Sequence, residues 1–240
     1  MCILIDSSMS SINKFSCTKF FKNRILIPSI TIDWIMNYLA HLFLSPHHED
    51  WQLGSLLGDF IKGPINEQLK TVHGWNVVNG IKLHRKIDAF SGQSNIFKRS
   101  AARINPTYKR FSGILIDMYF DHIIAKHWSQ LHETGLSEFS DYVYEVVLKD
   151  RPENPQNFRR VAQLIISEDW FRAYTSIDGI TRQIERLGSR LKRGNALLGG
   201  AKDLSNQLSY FETDFFDFIR EAEGFTKDYI TKLELAPYSR

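Results

Sequence analysis

The sequence predicts an all-α fold, a single helical domain that follows a dissimilar N-terminal stretch. Three observations carry that expectation. Beyond residue 36 apolar side chains recur at spacings of three and four, and strand-type alternation is scarce. The 240 residues include only 14 Gly and 7 Pro, too few for a loop-rich chain. Apolar residues make up 43% and aromatic residues 13%, enough to fill one core.

The helices expected in order cover 36–44, 50–62, 75–91, 94–104, 107–131, 136–149, 154–169, 177–192 and 200–230. Ser45-Pro46, Gly63-Pro64, Arg151-Pro152 and Gly199-Gly200 read as breaks between them. Residues 1–35 are rich in Ser, Ile, Asn, Lys and Phe and show no sustained helical period. They are expected to be an upstream extension, with Met36 as the natural start of a domain spanning 36–240.

Composition excludes several classes. The two cysteines, Cys2 and Cys17, both precede that domain, so it holds neither a disulfide framework nor a thiolate zinc site. This fits a reducing compartment, and a cytoplasmic location is expected. The apolar stretch 25–35 is interrupted by Pro28 and Asp33 and is far short of the roughly 20 residues a membrane span needs. Basic residues precede it, but a small-residue cleavage pattern is missing, so it does not read as a signal peptide. No Gly-rich phosphate loop, G-x-S-x-G elbow or H-E-x-x-H motif occurs, which speaks against an NTPase, a serine hydrolase or a zinc protease.

Four groups of residues could do chemistry. His84 and Asp88 are four apart, on one face of a helix, and offer imidazole and carboxylate donors suited to a divalent metal. A plain helical His–Asp hydrogen bond would use the same spacing. Asp117 and Asp121 repeat it among Ile114, Leu115, Met118, Phe120, Ile123 and Ile124. Two carboxylates on a buried face repel and lose hydration, so they call for a cation, or for basic partners on another helix. Asp59 lies in the apolar run Leu56-Leu57-Gly58-Asp59-Phe60, as a ligand or as a helix cap. Gly54, Gly58 and Gly63 around it suggest close approach of another backbone or a ligand. His41 lies on the apolar helix 38–44 as a core histidine or a member of the set, whereas His47 and His48 read as solvated. Together these residues suit a metal that activates water for attack on phosphorus.

Charge points to the partner. The net charge is only +3, yet Lys82, Arg85, Lys86, Lys98, Arg99, Arg103, Lys109 and Arg110 cluster in a span whose one acid is Asp88. Such a patch would draw an anionic partner and bind phosphate oxygens. Arg182, Arg186, Arg190 and Arg193 form a second stripe, or a solvated helix face. Nucleic acid is one possible acidic partner, though no nucleic-acid-binding motif accompanies either cluster, and an acidic protein is the other candidate.

In order, Met36-Asn-Tyr-Leu-Ala-His41-Leu, Gly58-Asp59-Phe-Ile-Lys62-Gly63, Gly80-Ile-Lys-Leu-His84-Arg85-Lys86-Ile-Asp88, Asp117-Met-Tyr-Phe-Asp121-His122 and His127-Trp128 resemble the acyl carrier protein phosphodiesterases. The resemblance runs from Met36 to about Tyr229 and does not touch residues 1–35. It implies an HD-phosphohydrolase-like helical bundle that cleaves the phosphodiester between 4′-phosphopantetheine and a serine of holo-acyl carrier protein. It implies a divalent metal, Mn²⁺ first, with Mg²⁺ or Fe²⁺ as alternatives. Carried residue by residue, metal binding falls to Asp59, His84, Asp88, Asp117 and Asp121, with His122 joining them in catalysis. Asp121-His122 is an HD dyad in reversed order, so the ligand set departs from the HD pattern. Arg85 and Lys62 would contact phosphate, and His41, His122 or His127 would donate protons or orient ligands. The carrier, a small acidic protein, would dock on Lys82, Lys86, Lys98, Arg99 and Arg103. Two other readings stay open: an HD-like phosphohydrolase for a nucleotide or small phosphoester, and a non-catalytic helical module that binds the carrier.

Overall fold

The computed structural model describes residues 37–149, 151–191 and 197–235. The expected extension 1–35 and Met36 lie outside the described residues. So do Arg193 and the side chain of Arg190 from the second basic stripe. Twelve α-helices and one 3₁₀ helix account for most of the described residues, and no strand occurs among them.

The first helices follow their local signals. α1 (Tyr38–Phe43) is a short apolar turn that stops before Pro46. α2 (Glu49–Leu57) opens on two acids, where the helix dipole favours negative charge. α3 (Glu67–His73) is a helix that apolar periodicity misses, because it buries nothing; its sign is the Asn66 cap, whose side chain accepts from the Leu69 N–H at 2.9 Å. Gly74, at φ +82, ends α3 and starts α4 (Trp75–Gln93). Ser94 caps α5 (Asn95–Ala102).

The stretch expected as one helix over 107–131 divides in three. Pro106 opens a 3₁₀ helix (Pro106–Phe111), α6 (Ser112–Lys126) follows, and α7 (Trp128–Leu131) restarts after His127 leaves the helical backbone. Beyond these come α8 (Leu136–Leu148), α9 (Gln156–Ser167), the single turn α10 (Trp170–Ala173), α11 (Ile177–Arg190) and α12 (Ala201–Leu235), which is kinked at Gln207. α10 also escaped periodicity, being one turn long; it starts from Asp169 in the left-handed region at φ 49.

α6 is the central helix. From Ile114 to Ala125 it is buried except at Asp117, and it packs against α1, α5, α11 and α12. A helix apolar on every side belongs inside a bundle. The most extensive pairing is α2 on α4, and glycine makes it close. A Cβ at Gly54 would lie 2.9 Å from the Gly80 Cα, and nearer still to the Val77 carbonyl. The two backbones touch there, as expected for Gly54, and Gly58 meets the His84 side chain, whereas Gly63 has nothing within 4 Å and serves instead a backbone at φ +86.

α2 stops at Leu57, five residues earlier than periodicity suggests. The Phe60 and Ile61 N–H groups both return to the Leu57 carbonyl, at 2.9 and 3.0 Å, closing a turn that carries Asp59 past the helix end. Arg85 of α4 then ties down the following loop by donating to the carbonyls of Ile61 and Gly63.

Candidate metal centre and active site

The site forms where α1, the turn after α2, and α4 meet. α1 brings His41, the turn brings Asp59, and α4 brings His84 and Asp88. The i,i+4 spacing places His84 Nε2 3.3 Å from Asp88 Oδ2. Asp59 Oδ1 lies 3.6 Å from the same nitrogen. From the other side His41 Nε2 comes within 3.2 Å of Asp88 Oδ1. The two imidazoles stack at 4.0 Å with 17° between their planes. Gly58 allows this: a Cβ there would enter the His84 ring, reaching its Cβ at 2.7 Å.

Burial sharpens the electrostatics. His41 and His84 are almost fully buried, whereas Asp88 remains half exposed. Burial pulls the His84 pKa down, but hydrogen bonding and charge at Asp59 and Asp88 outweigh it and hold the imidazole at about 9. His41 goes the other way, lowered by burial and by His84, so it stays neutral with a lone pair free to ligate. Burial opposes ionisation of Asp88, yet its two histidines keep it well below the usual carboxylate range.

This group fits a cation, which would take the place of the proton on His84. One donor atom from each of His41, His84 and Asp88 lies within 4.8 Å of the others. Donors on one ion stand up to roughly 4 Å apart when bonds are about 2.1 Å, so small rotations complete the geometry. Both ring nitrogens of His41 are buried without an aligned hydrogen bond. A buried imidazole nitrogen facing a carboxylate, with its hydrogen bond unmade, is a costly arrangement that a bound ion would relieve. Nδ1 of His84 likewise finds no acceptor.

His41 therefore stands inside the cluster rather than beside it. The sequence signal was a histidine on an otherwise apolar helix face. Asp117, partly buried on α6, accepts from Asn37 Nδ2 at 3.3 Å. Burial, together with the charges of Asp88, Asp121 and Asp59, pushes its carboxyl well above the ordinary range, so these acids share one neighbourhood. Asp121 is wholly buried, and both of its oxygens are taken by α1: Oδ2 by the Leu39 N–H at 3.2 Å and Oδ1 by the Ala40 N–H at 2.9 Å. Burial raises Asp121 to about 8 against the pull of those donors.

The structure does not bring His122 or His127 to the cluster. His122 points into the core, where Nδ1 meets the Tyr174 carbonyl at 2.7 Å. His127 lies ten residues beyond Asp117, about 15 Å along the helix axis, and its Nε2 meets Glu212 Oε1 at 2.7 Å. Helix geometry accounts for the first of these, because adjacent residues face about 100° apart and His122 cannot share the face of Asp121.

The basic cluster also divides. Arg99 and Arg103 both grip the buried Asp214, at 2.6 and 3.0 Å, and Arg99 reaches Asp217 as well. Their charge is spent on joining α5 to α12. Lys82 lies over the Trp75 ring and Lys86 over that of Tyr229. Lys98 donates to the Gln93 carbonyl. Lys62 is exposed in the loop beside Asp59 and makes no ion pair among the described residues. In the second stripe Arg186 pairs with Glu168.

Fold and site define an all-helical protein with a His–Asp cluster able to hold one cation. A sequence model of the family described as acyl carrier protein phosphodiesterase matches residues 36–222. The chain belongs to that family. Curated relatives carrying the same name agree. The protein of Enterobacter sp. (strain 638) is 32% identical over 184 residues, 76% of this chain and 93% of the relative. That of Escherichia coli O6:H1 is 33% identical over the same shares. That of Serratia proteamaculans (strain 568) is 31% identical over 195 residues, 80% of this chain and 98% of the relative. No solved structure matches the chain. No helix among the described residues is long and apolar enough to cross a membrane.

Proposed function

We propose that this protein hydrolyses the phosphodiester linking 4′-phosphopantetheine to the serine of holo-acyl carrier protein, releasing the apo carrier, with a divalent cation at the His41/His84/Asp88 cluster. The observation that carries the reading is the convergence of two buried imidazoles on the one carboxylate of Asp88, in a chain of this family.

His41, His84 and Asp88 hold the cation, and Asp59 and Asp117 extend the donor set on either side. Mn²⁺ and Fe²⁺ suit this mixture of imidazole and carboxylate better than Mg²⁺, which prefers an oxygen shell. A bound divalent ion supplies Lewis-acid polarisation of the phosphoryl group and lowers the pKa of water. The remaining steps fall to the chain itself. The Asp59 carboxylate, facing His84 Nε2 at 3.6 Å, would accept the proton of the attacking water, and as the P–O bond to serine breaks the departing serine oxygen would take a proton from solvent at the exposed edge of the site. Lys62 reaches the non-bridging phosphate oxygens, and Arg85 holds the loop that presents it. The half exposure of Asp88 supports a reacting phosphorus at the surface, where a serine on another protein can arrive. Lys62, Lys82, Lys86 and Lys98, not spent on ion pairs with buried acids, are the better docking candidates for an acidic carrier.

The test is intact-mass analysis of holo-acyl carrier protein incubated with the purified protein and Mn²⁺. Loss of the phosphopantetheine mass, abolished by a chelator, is expected. A carrier of unchanged mass overturns the reading. Cleavage of nucleotides alone would transfer the site to small phosphoesters, and binding without cleavage would leave a carrier-docking module.

A further inference from the structure

α1 has only six residues, too few to hold its own conformation in water. Its position must come from what grips it. At its start, the Asn37 side chain makes no capping bond and reaches Asp117 instead. The orphan N–H groups of Leu39 and Ala40 go to the two oxygens of Asp121, a residue 81 or more positions away in sequence. At the other end the hydroxyls of Ser45 and Ser55 donate to the His41 carbonyl, at 2.8 and 3.2 Å. Gln52 Nε2 donates to the Leu42 carbonyl at 3.0 Å. His41 follows Ala40 directly, so it stands between the two clamps.

We propose that Asp121 is a positioning residue: it fixes the first turn of α1 so that the His41 imidazole meets Asp88, and it does not itself ligate the cation. The inference rests on the cation site put forward above. Asp121 shares its neighbourhood with Asp117, but it is fully enclosed and stands outside the group of donors that converge. A carboxyl group whose two oxygens each accept from the first turn of a helix satisfies two orphan donors, which explains a buried acid without a metal.

A double-mutant cycle on Mn²⁺ affinity, read by electron paramagnetic resonance, tests it. Asp121→Asn should weaken binding by about tenfold, the loss typical of removing a ligand's support. In a His41→Ala background the same substitution should change nothing further. A loss as deep as that of Asp88→Asn, or the same tenfold loss with His41 absent, would make Asp121 a ligand and overturn the proposal. Asp121→Glu, which keeps a carboxyl group but displaces it by one methylene, repeats the cycle should the Asn variant not fold. The metal-free protein supplies a second readout by NMR. Asp121→Asn should speed hydrogen exchange at the Leu39 and Ala40 amides and move the His41 ring signals, whereas an unmoved His41 overturns the positioning role. If the wild type binds no Mn²⁺, the cation reading fails, and the NMR comparison still decides whether Asp121 positions His41.

Discussion

His41 and His84 stack at 4.0 Å, and each turns Nε2 towards a different oxygen of Asp88. One carboxylate thus links two helices that lie 43 residues apart along the chain at these positions (84 − 41 = 43). Removing it strips both imidazoles of their partner. Asp88→Asn should lower Mn²⁺ affinity by on the order of 100-fold or more, the upper end of what even supporting residues cost. The melting temperature of the metal-free protein should fall as well, because two buried imidazoles lose their partner. Calorimetric titration with Mn²⁺ and a thermal melt check both halves.

The contact between Gly58 and His84 gives a graded series. Gly58→Ala pushes a methyl group into the His84 ring, and such overpacking costs about 1–3 kcal/mol. Activity should fall more than stability does, because the displaced ring is part of the site. Gly113→Ala, at a helical position with nothing within 4 Å, should instead stabilise the fold by up to about 1 kcal/mol. Urea denaturation of the two variants distinguishes local clash from a general intolerance of alanine.

Asp214 ties stability to pH. Burial works against its ionisation, but bonds from Arg103, Ser100 and Arg99 outweigh burial and hold its pKa below the ordinary carboxylate value. A group depressed in the folded state contributes stability above its unfolded pKa, near 3.9, and loses it as pH falls through the folded value. Asp214→Ala should cost about 3 kcal/mol at neutral pH, as broken buried pairs do. The gap from the wild type should narrow on acidification below about pH 4. Denaturant titrations at neutral and acidic pH would show this narrowing.

The divided basic cluster predicts two kinds of arginine and lysine variant. Lys62→Glu or Lys86→Glu should raise KM for holo-acyl carrier protein about tenfold, or roughly 1.4 kcal/mol, with an effect that fades at high salt. Arg99→Glu should instead lower the melting temperature, because it places a second acid against Asp214. Steady-state kinetics at two ionic strengths, beside thermal melts, check the difference.

Much of this protein was legible from local pattern. The nine helices expected from periodicity all occur, with the 107–131 segment broken at its ends, because an amphipathic period is a property of neighbouring residues. α3 escaped because it has no buried face, and α10 because one turn has no period. The His84–Asp88 pair was readable for the same reason, since spacing on one helix fixes a shared face. The tight Gly54 of α2 was readable from its cost inside a helix, whereas Gly63, expected at a close approach, sits at a bend with open space around it.

Local pattern was enough for an all-helical chain, for the buried Asp121 on its apolar helix, and for the family whose motifs the chain carries, whereas the buried Asp214 gave no such signal. Tertiary structure alone decided what each acid faces. Asp88 meets His41 across helices, Asp121 meets backbone N–H groups of α1, and Arg99 and Arg103 meet Asp214. The physical reason is that burial demands a partner for a charge without naming it. An imidazole, a helix start and a guanidinium each satisfy a carboxylate, and which one arrives depends on how distant helices pack.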